Sequence, residues 1–212
     1  RPPRRRPAGP AVLKRKCNMA NNIFQGIGGG MGPAVVGGAA AKEPAVRAAA
    51  GLNGFYNGRK WLQSVYSYAD YVALEEAVAK ERIRFVTEGT RQFDQPFVYY
   101  PLDPATDTVV RDHLYKVDGY GQEISLEFGQ SLLDFNAEDF IPKLKIPILI
   151  GHGKHNLLHP LSGAEEYYSL LTSPKEFYLI DGRHNDFMFD NHPVFCNLIC
   201  CLDQFFQSAF SD

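Results

Sequence analysis

The stretch that decides the fold runs from Asn21 to Lys42, NNIFQGIGGGMGPAVVGGAAAK. The short apolar run Ile23–Ile27 leads into a cluster of glycines, and a small-residue segment of helical character follows from about Pro33 to Ala41. The pattern predicts a strand, a sharp turn and a helix. Three roles compete for the glycines. A dinucleotide fingerprint drawn through Gly26, Gly28 and Met31 lacks its third glycine and has no acidic ribose partner about 20 residues further on. A phosphate-cradling P-loop needs a Gly-Lys-Ser or Gly-Lys-Thr ending, which is absent. A glycine loop without a role explains nothing of what comes next.

What comes next is Ala39-Ala40-Ala41-Lys42-Glu43-Pro44-Ala45-Val46-Arg47-Ala48, a helix that stops before a proline and returns to an extended run. With Gly28-Gly29-Gly30-Met31-Gly32 before it, this segment resembles the nucleophile elbow of the α/β-hydrolase superfamily, GxSxG, in which small flanking residues let the chain turn tightly beneath the nucleophile. The resemblance places Gly30 at the nucleophile position, where it has no side chain to attack with. It makes the Met31 N–H a candidate oxyanion donor.

The resemblance extends to the second half of the chain. Ile146–Gly151 reads as a short buried strand, followed by the loop His152-Gly153-Lys154-His155-Asn156-Leu157-Leu158-His159-Pro160. In the superfamily that loop holds the triad acid, in a pattern like HGxxDxxxP, and Asn156 occupies its place. An amide can orient a histidine but carries no charge to stabilise an imidazolium. A helix over Leu161–Leu171 and a last strand over Lys175–Ile180 lead to Asp181-Gly182-Arg183-His184-Asn185-Asp186. This is similar to the catalytic-histidine loop, so His184 takes the base position; a loop histidine that merely makes backbone bonds is the alternative. Asp181, Asp186 and Asp190 are candidate substitutes for the acid.

The fold class implied is α/β: an α/β-hydrolase fold with a mostly parallel sheet, helices on both faces, a helical or irregular cap, and the early strands missing. Residues 21–212 would form this partial domain, with a cap-like insertion over 61–135. Its unpaired sheet edge at Ile23–Ile27 would need cover from a second copy or a partner. The run His184-Asn185-Asp186-Phe187-Met188-Phe189-Asp190 after Pro174-Lys175-Glu176 is similar to the fungal polyketide-transferase group of toxin clusters. That likeness implies acyl transfer or ester hydrolysis on small apolar or acyl-type molecules, here impaired at the nucleophile and the acid. A binding or scaffolding module, and a lyase or isomerase using His184 alone, are the alternatives.

The rest of the sequence sets bounds. The 212 residues, 45% hydrophobic and 13% aromatic, suit one domain with a sizeable core. Residues 1–20 carry Arg1, Arg4, Arg5, Arg6, Lys14, Arg15 and Lys16 with no acid, and are expected to be a disordered basic arm. Without aromatic interleaving or helical pattern the arm does not indicate nucleic acid. The start at Arg1 without Met makes it the expected edge of a misassigned gene boundary. No cofactor or metal motif stands out, and no apolar run is long enough to span a membrane. A reduced, cytoplasmic setting is expected. A peroxisomal one is the alternative implied by the resemblance, although the end Ala209-Phe210-Ser211-Asp212 is not a Ser-Lys-Leu signal. Trp61–Thr90 reads as helix closing at Gly89, and 91–123 as irregular and aromatic, either lining an acyl site or packing as satellite core. His113 is expected at the surface, and Cys196, Cys200 and Cys201 in the core of a C-terminal helix.

Overall fold

Four parallel strands in the order β1-β2-β5-β6 carry the architecture: β1 Phe24–Gly29, β2 Val46–Leu52, β5 Ile148–Gly153 and β6 Lys175–Ile180. A computed structural model describes residues 24–121 and 123–210. The basic arm expected over 1–20, and Ile23 of the expected edge strand, lie outside the described residues.

Helices pack on both faces of the sheet, as its connections require; β5 and most of β2 are buried, while Ile27 of β1 and Leu179 of β6 are exposed. Along β5, Ile148 and Ile150 point to one side and Leu149 to the other, the period-2 alternation of a strand. On the first side Ala34 of α1 (Gly32–Ala40) and Ala164 and Tyr167 of α6 (Leu161–Leu170) complete a core. On the second side lies α7 (Pro193–Ala209), which presents Val194, Leu198, Leu202, Phe205 and Phe206 to Ala48, Ala50 and Leu149. That spacing is one face of a helix. Cys196 and Cys200 fall off it and are exposed, and Cys201 is half-buried, which corrects the expectation that all three are core.

Between β2 and β5 the chain forms the cap. The expected helix over Trp61–Thr90 is two helices, α2 Gly58–Val65 and α3 Tyr68–Glu88, broken at Tyr66, with Ser67 accepting from Asp70 N to cap the second. Gly89 ends α3 in the left-handed conformation, as expected. The stretch read as irregular holds the strand β3 (Phe93–Asp94), which pairs with β4 (Ile124–Ser125) just beyond it, and the helix α4 Pro104–Asp112. Asp103 caps α4 and Pro104 occupies its first turn, a start signal present in the sequence. With α5 (Phe128–Asp134), these helices bury Phe55, Trp61, Tyr71, Leu74, Val78 and Tyr99 in a third core. Tyr99 and Tyr100 therefore serve as cap packing. His113 is exposed. No helix among the described residues is long and apolar enough to cross a membrane.

Candidate active site

The strand registers bring the predicted positions to one edge. Gly29 pairs with Leu52, Leu52 with Gly151, and Gly153 with Ile180. The residues that follow each strand, Gly30, Asn53, Lys154–Asn156 and Asp181–His184, thus line up at the C-terminal ends, where parallel α/β sheets place ligand sites.

Gly30 turns the chain between β1 and α1 with φ +63°, and its N–H still donates to Leu52 O at 3.2 Å. A Cβ at Gly30 would meet nothing within 4 Å. One at Gly28 would come within 2.3 Å of the Gly32 backbone, so the turn is as tight as the small residues suggest. Met31 is the residue that heads α1 and packs against the cap core.

Asn156 does not engage His184. Its Oδ1 accepts from the Leu158 and His159 N–H groups at 3.1 and 3.0 Å. Its Nδ2 stands 3.3 Å from His152 Nε2, which already donates to the His159 carbonyl at 2.9 Å. Nor do the nearby aspartates reach the histidine. Asp181 is exposed and paired with Lys154 at 2.6 Å, Asp186 accepts from Arg183 N at 2.8 Å, and Asp190 is exposed. His184 Nδ1 is buried without a hydrogen-bond partner among the described residues. Burial pushes the His184 imidazole down to about 4, against the opposing field of Asp103, with His152 adding to the depression.

Two residues not anticipated from the sequence organise this edge. Asn53 is fully buried at φ +50°; its Oδ1 accepts from Gly153 N at 2.6 Å and its Nδ2 donates to His184 O at 2.8 Å. It therefore locks the base-position loop to the end of β5. His159 stands edge-on to His184, ring centroids 4.8 Å apart, among Phe55 and Trp61. Its Nδ1 contacts the Asn53 carbonyl at 2.6 Å, an acceptor only, so Nδ1 carries the proton. Nε2 then accepts from the Tyr100 hydroxyl at 2.6 Å, which ties the cap to the sheet. Burial holds His159 neutral, well below the usual histidine range. Asn53 follows a strand and precedes Gly54, a sequence signal for a turn but not for these bonds. His159 carries no signal.

A cavity of about 910 Å³ opens between α4 and this edge, lined by Asp103, Thr106, Lys154, Asn156, Arg183 and His184 among others. None of the cap aromatics lines it. No cluster of three or more His, Cys, Asp and Glu placed to hold a metal ion occurs among the described residues.

The same architecture occurs in solved structures. DcsB, solved in complex with its substrate analogue, aligns with TM-score 0.71 at 13% identity over 90% of this chain and 66% of its own. The α/β hydrolase GrgF from Penicillium sp. sh18 aligns with TM-score 0.66 at 16% identity over 89% of this chain and 64% of its own. The chain has the α/β-hydrolase fold. A monoacylglycerol lipase from Paleococcus ferrophilus shares this fold with TM-score 0.55 at 17% identity, over 84% of this chain and 66% of its own. This α/β-hydrolase-fold chain spans about two thirds of the length of the structures it matches. No protein-family model and no curated protein matches its sequence.

Proposed function

We propose that the chain is an α/β-hydrolase-like protein related to enzymes of acyl transfer or ester hydrolysis in fungal polyketide or toxin biosynthesis. In this reading it binds a small acyl-type molecule and is impaired in the covalent step. One observation carries it: the turn at Gly30 keeps a left-handed backbone and open space where a nucleophile would project, yet holds no side chain. His184 is the base position, Asn156 the substituted acid and the Met31 N–H the oxyanion donor. The fungal and polyketide part rests on the sequence likeness around His184, alongside the shared fold of GrgF. Loss of a triad member leaves roughly 10³ to 10⁴ of rate over water, so the expected activity is faint.

A second reading, proton abstraction by His184 without a covalent intermediate, is favoured by its neutral imidazole, which is free to accept a proton above about pH 4. The test compares the chain with Gly30→Ser, alone and with Asn156→Asp, using a fluorophosphonate probe and p-nitrophenyl butyrate. The unchanged chain should stay unlabelled. Gly30→Ser should label and raise ester hydrolysis at least about 10-fold, more with the acid restored. A folded Gly30→Ser chain that neither labels nor hydrolyses sinks the proposal.

A further inference from the structure

His184 has a buried, unpartnered Nδ1 and no carboxylate from its own loop or from the loop after β5 to serve it. We propose that Asp103, carried to the site by the cap, is the charge partner of His184 in place of the residue at Asn156, so that base and acid face one cavity from opposite layers. This rests on His184 being the proton acceptor of the site.

The geometry supports the pairing in three steps. Asp103 and His184 line the same cavity of about 910 Å³, one from the head of α4 and the other from the loop after β6. Asp103 is fixed in place: Oδ1 accepts from Ala105 N at 3.0 Å and Thr106 N at 3.2 Å, and Oδ2 accepts from Thr106 Oγ1 at 2.6 Å. An ionised carboxylate has about four acceptor positions, so these three bonds leave capacity on the oxygens. Finally, the other groups around His184 do not do the same work. His152 at the end of β5 and His159 before α6 disfavour a positive charge on His184, and Lys154 and Arg183 on the cavity wall, beside His155, are cationic. Asp186, also on that wall, is bonded to the Arg183 N–H. Asp103 is the carboxylate whose field favours the protonated imidazole.

A ligand in the cavity then meets both a base and a carboxylate on its walls. When a ligand O–H or C–H gives its proton to the His184 imidazole, the electron pair stays on the ligand and the charge of Asp103 on the same cavity favours the imidazolium. Asp103 is a positioning residue, acting through His184.

The experiment follows the His184 imidazole by NMR pH titration of the full chain, its signal among the six histidines identified by its loss in His184→Gln. Asp103→Asn removes the charge and keeps the helix cap, since Asn and Asp cap about equally well. His184 should titrate at lower pH in Asp103→Asn. It should keep its value in Asn156→Ser, whose hydroxyl still accepts from the loop. An unchanged His184 in Asp103→Asn, or an equal displacement in Asn156→Ser, overturns the proposal. Should Asp103→Asn not fold, Asp103→Ser, another capping residue without charge, carries the same reading. The titration needs no turnover, so it holds or fails separately from the ester assay on Gly30→Ser.

Discussion

Replacing Asn53 with Ala strikes the point where three segments of the site edge are tied together. Two short bonds are lost at once, from Gly153 N at 2.6 Å and to His184 O at 2.8 Å, with a longer one to Arg183 O at 3.4 Å, and Asn53 is fully buried. Each buried group left unpaired costs about 1–3 kcal/mol, so the two together cost roughly 2–6 kcal/mol. The φ of +50° adds a further cost of about 1 kcal/mol for a residue with a Cβ that cannot bond locally. Asn53→Gly loses the same bonds without that strain and should be about 1 kcal/mol more stable than Asn53→Ala. Urea unfolding reads both through the midpoint at unchanged m. A domain holds only about 5–15 kcal/mol in total, so Asn53→Ala should sit near its limit, with faster amide exchange at 183–185. A loss below about 1 kcal/mol would refute the view that Asn53 is the clamp of the histidine loop.

Two further expectations concern packing and protonation. A Cβ at Gly28 overlaps the Gly32 backbone, so Gly28→Ala should destabilise by several kcal/mol, above the roughly 1–3 kcal/mol of ordinary overpacking. Gly163→Ala, in the exposed first turns of α6 with nothing within 4 Å, should instead stabilise by about 0.5–1 kcal/mol, both read by thermal unfolding. Acid should weaken the fold well above the carboxylate range. The folded pKa of His184 is depressed from 6.5 to about 4, so as pH falls through 6.5 the unfolded chain binds the proton first and stability falls until about pH 4. From pH 6.5 to 5 that is about 2 kcal/mol from His184 alone, with His152 and His159 adding in the same direction. Urea midpoints equal at pH 7 and pH 5, or a slope unchanged in His184→Gln, contradict this account.

The parts of the fold that were legible in the sequence are those fixed by local periodicity and turn chemistry. The strand expected over Ile146–Gly151 forms two residues later, at Ile148–Gly153, while the helix end at Gly89 and the glycine turn at Gly30 each follow from residues adjacent in the chain. The break between the Tyr66 and Ser67 caps has no Gly or Pro to mark it, and a serine also occurs inside helices, so the local pattern reads through it. Cys196 and Cys200 of α7 lie off the core face, unlike the half-buried Cys201, because an apolar residue type says nothing of which face it occupies, whereas the spacing of Val194, Leu198 and Leu202 does. Motif likeness puts His184, Gly30 and Asn156 just after their strands, where the registers bring them to one edge, but not what each touches. Asn53 bonds across 131 positions to His184, and Tyr100 reaches His159 across 59. Contacts of that separation depend on how the cap returns over the sheet, which no local pattern encodes.

The glycine at position 30 bears on stability as well as on chemistry. A residue with a Cβ at φ +63° costs about 1–2 kcal/mol, so an elbow that carries a nucleophile is strained and one with Gly30 is not. A Cβ at Gly54 would lie 3.0 Å from the Gly30 carbonyl, and one at Gly51 2.7 Å from Pro33. The turn thus remains closed on its lower side and open above, the shape a reacting group requires. Both Gly30→Ala and Gly30→Ser should lower the unfolding free energy by about 1–2 kcal/mol, because the backbone strain is common to them. Only the serine chain should gain reactivity towards the fluorophosphonate. Equal labelling of the alanine chain would place the reactive group elsewhere. Alanine without loss of stability would mean that the turn at position 30 relaxes out of the left-handed region and cannot aim a nucleophile at all.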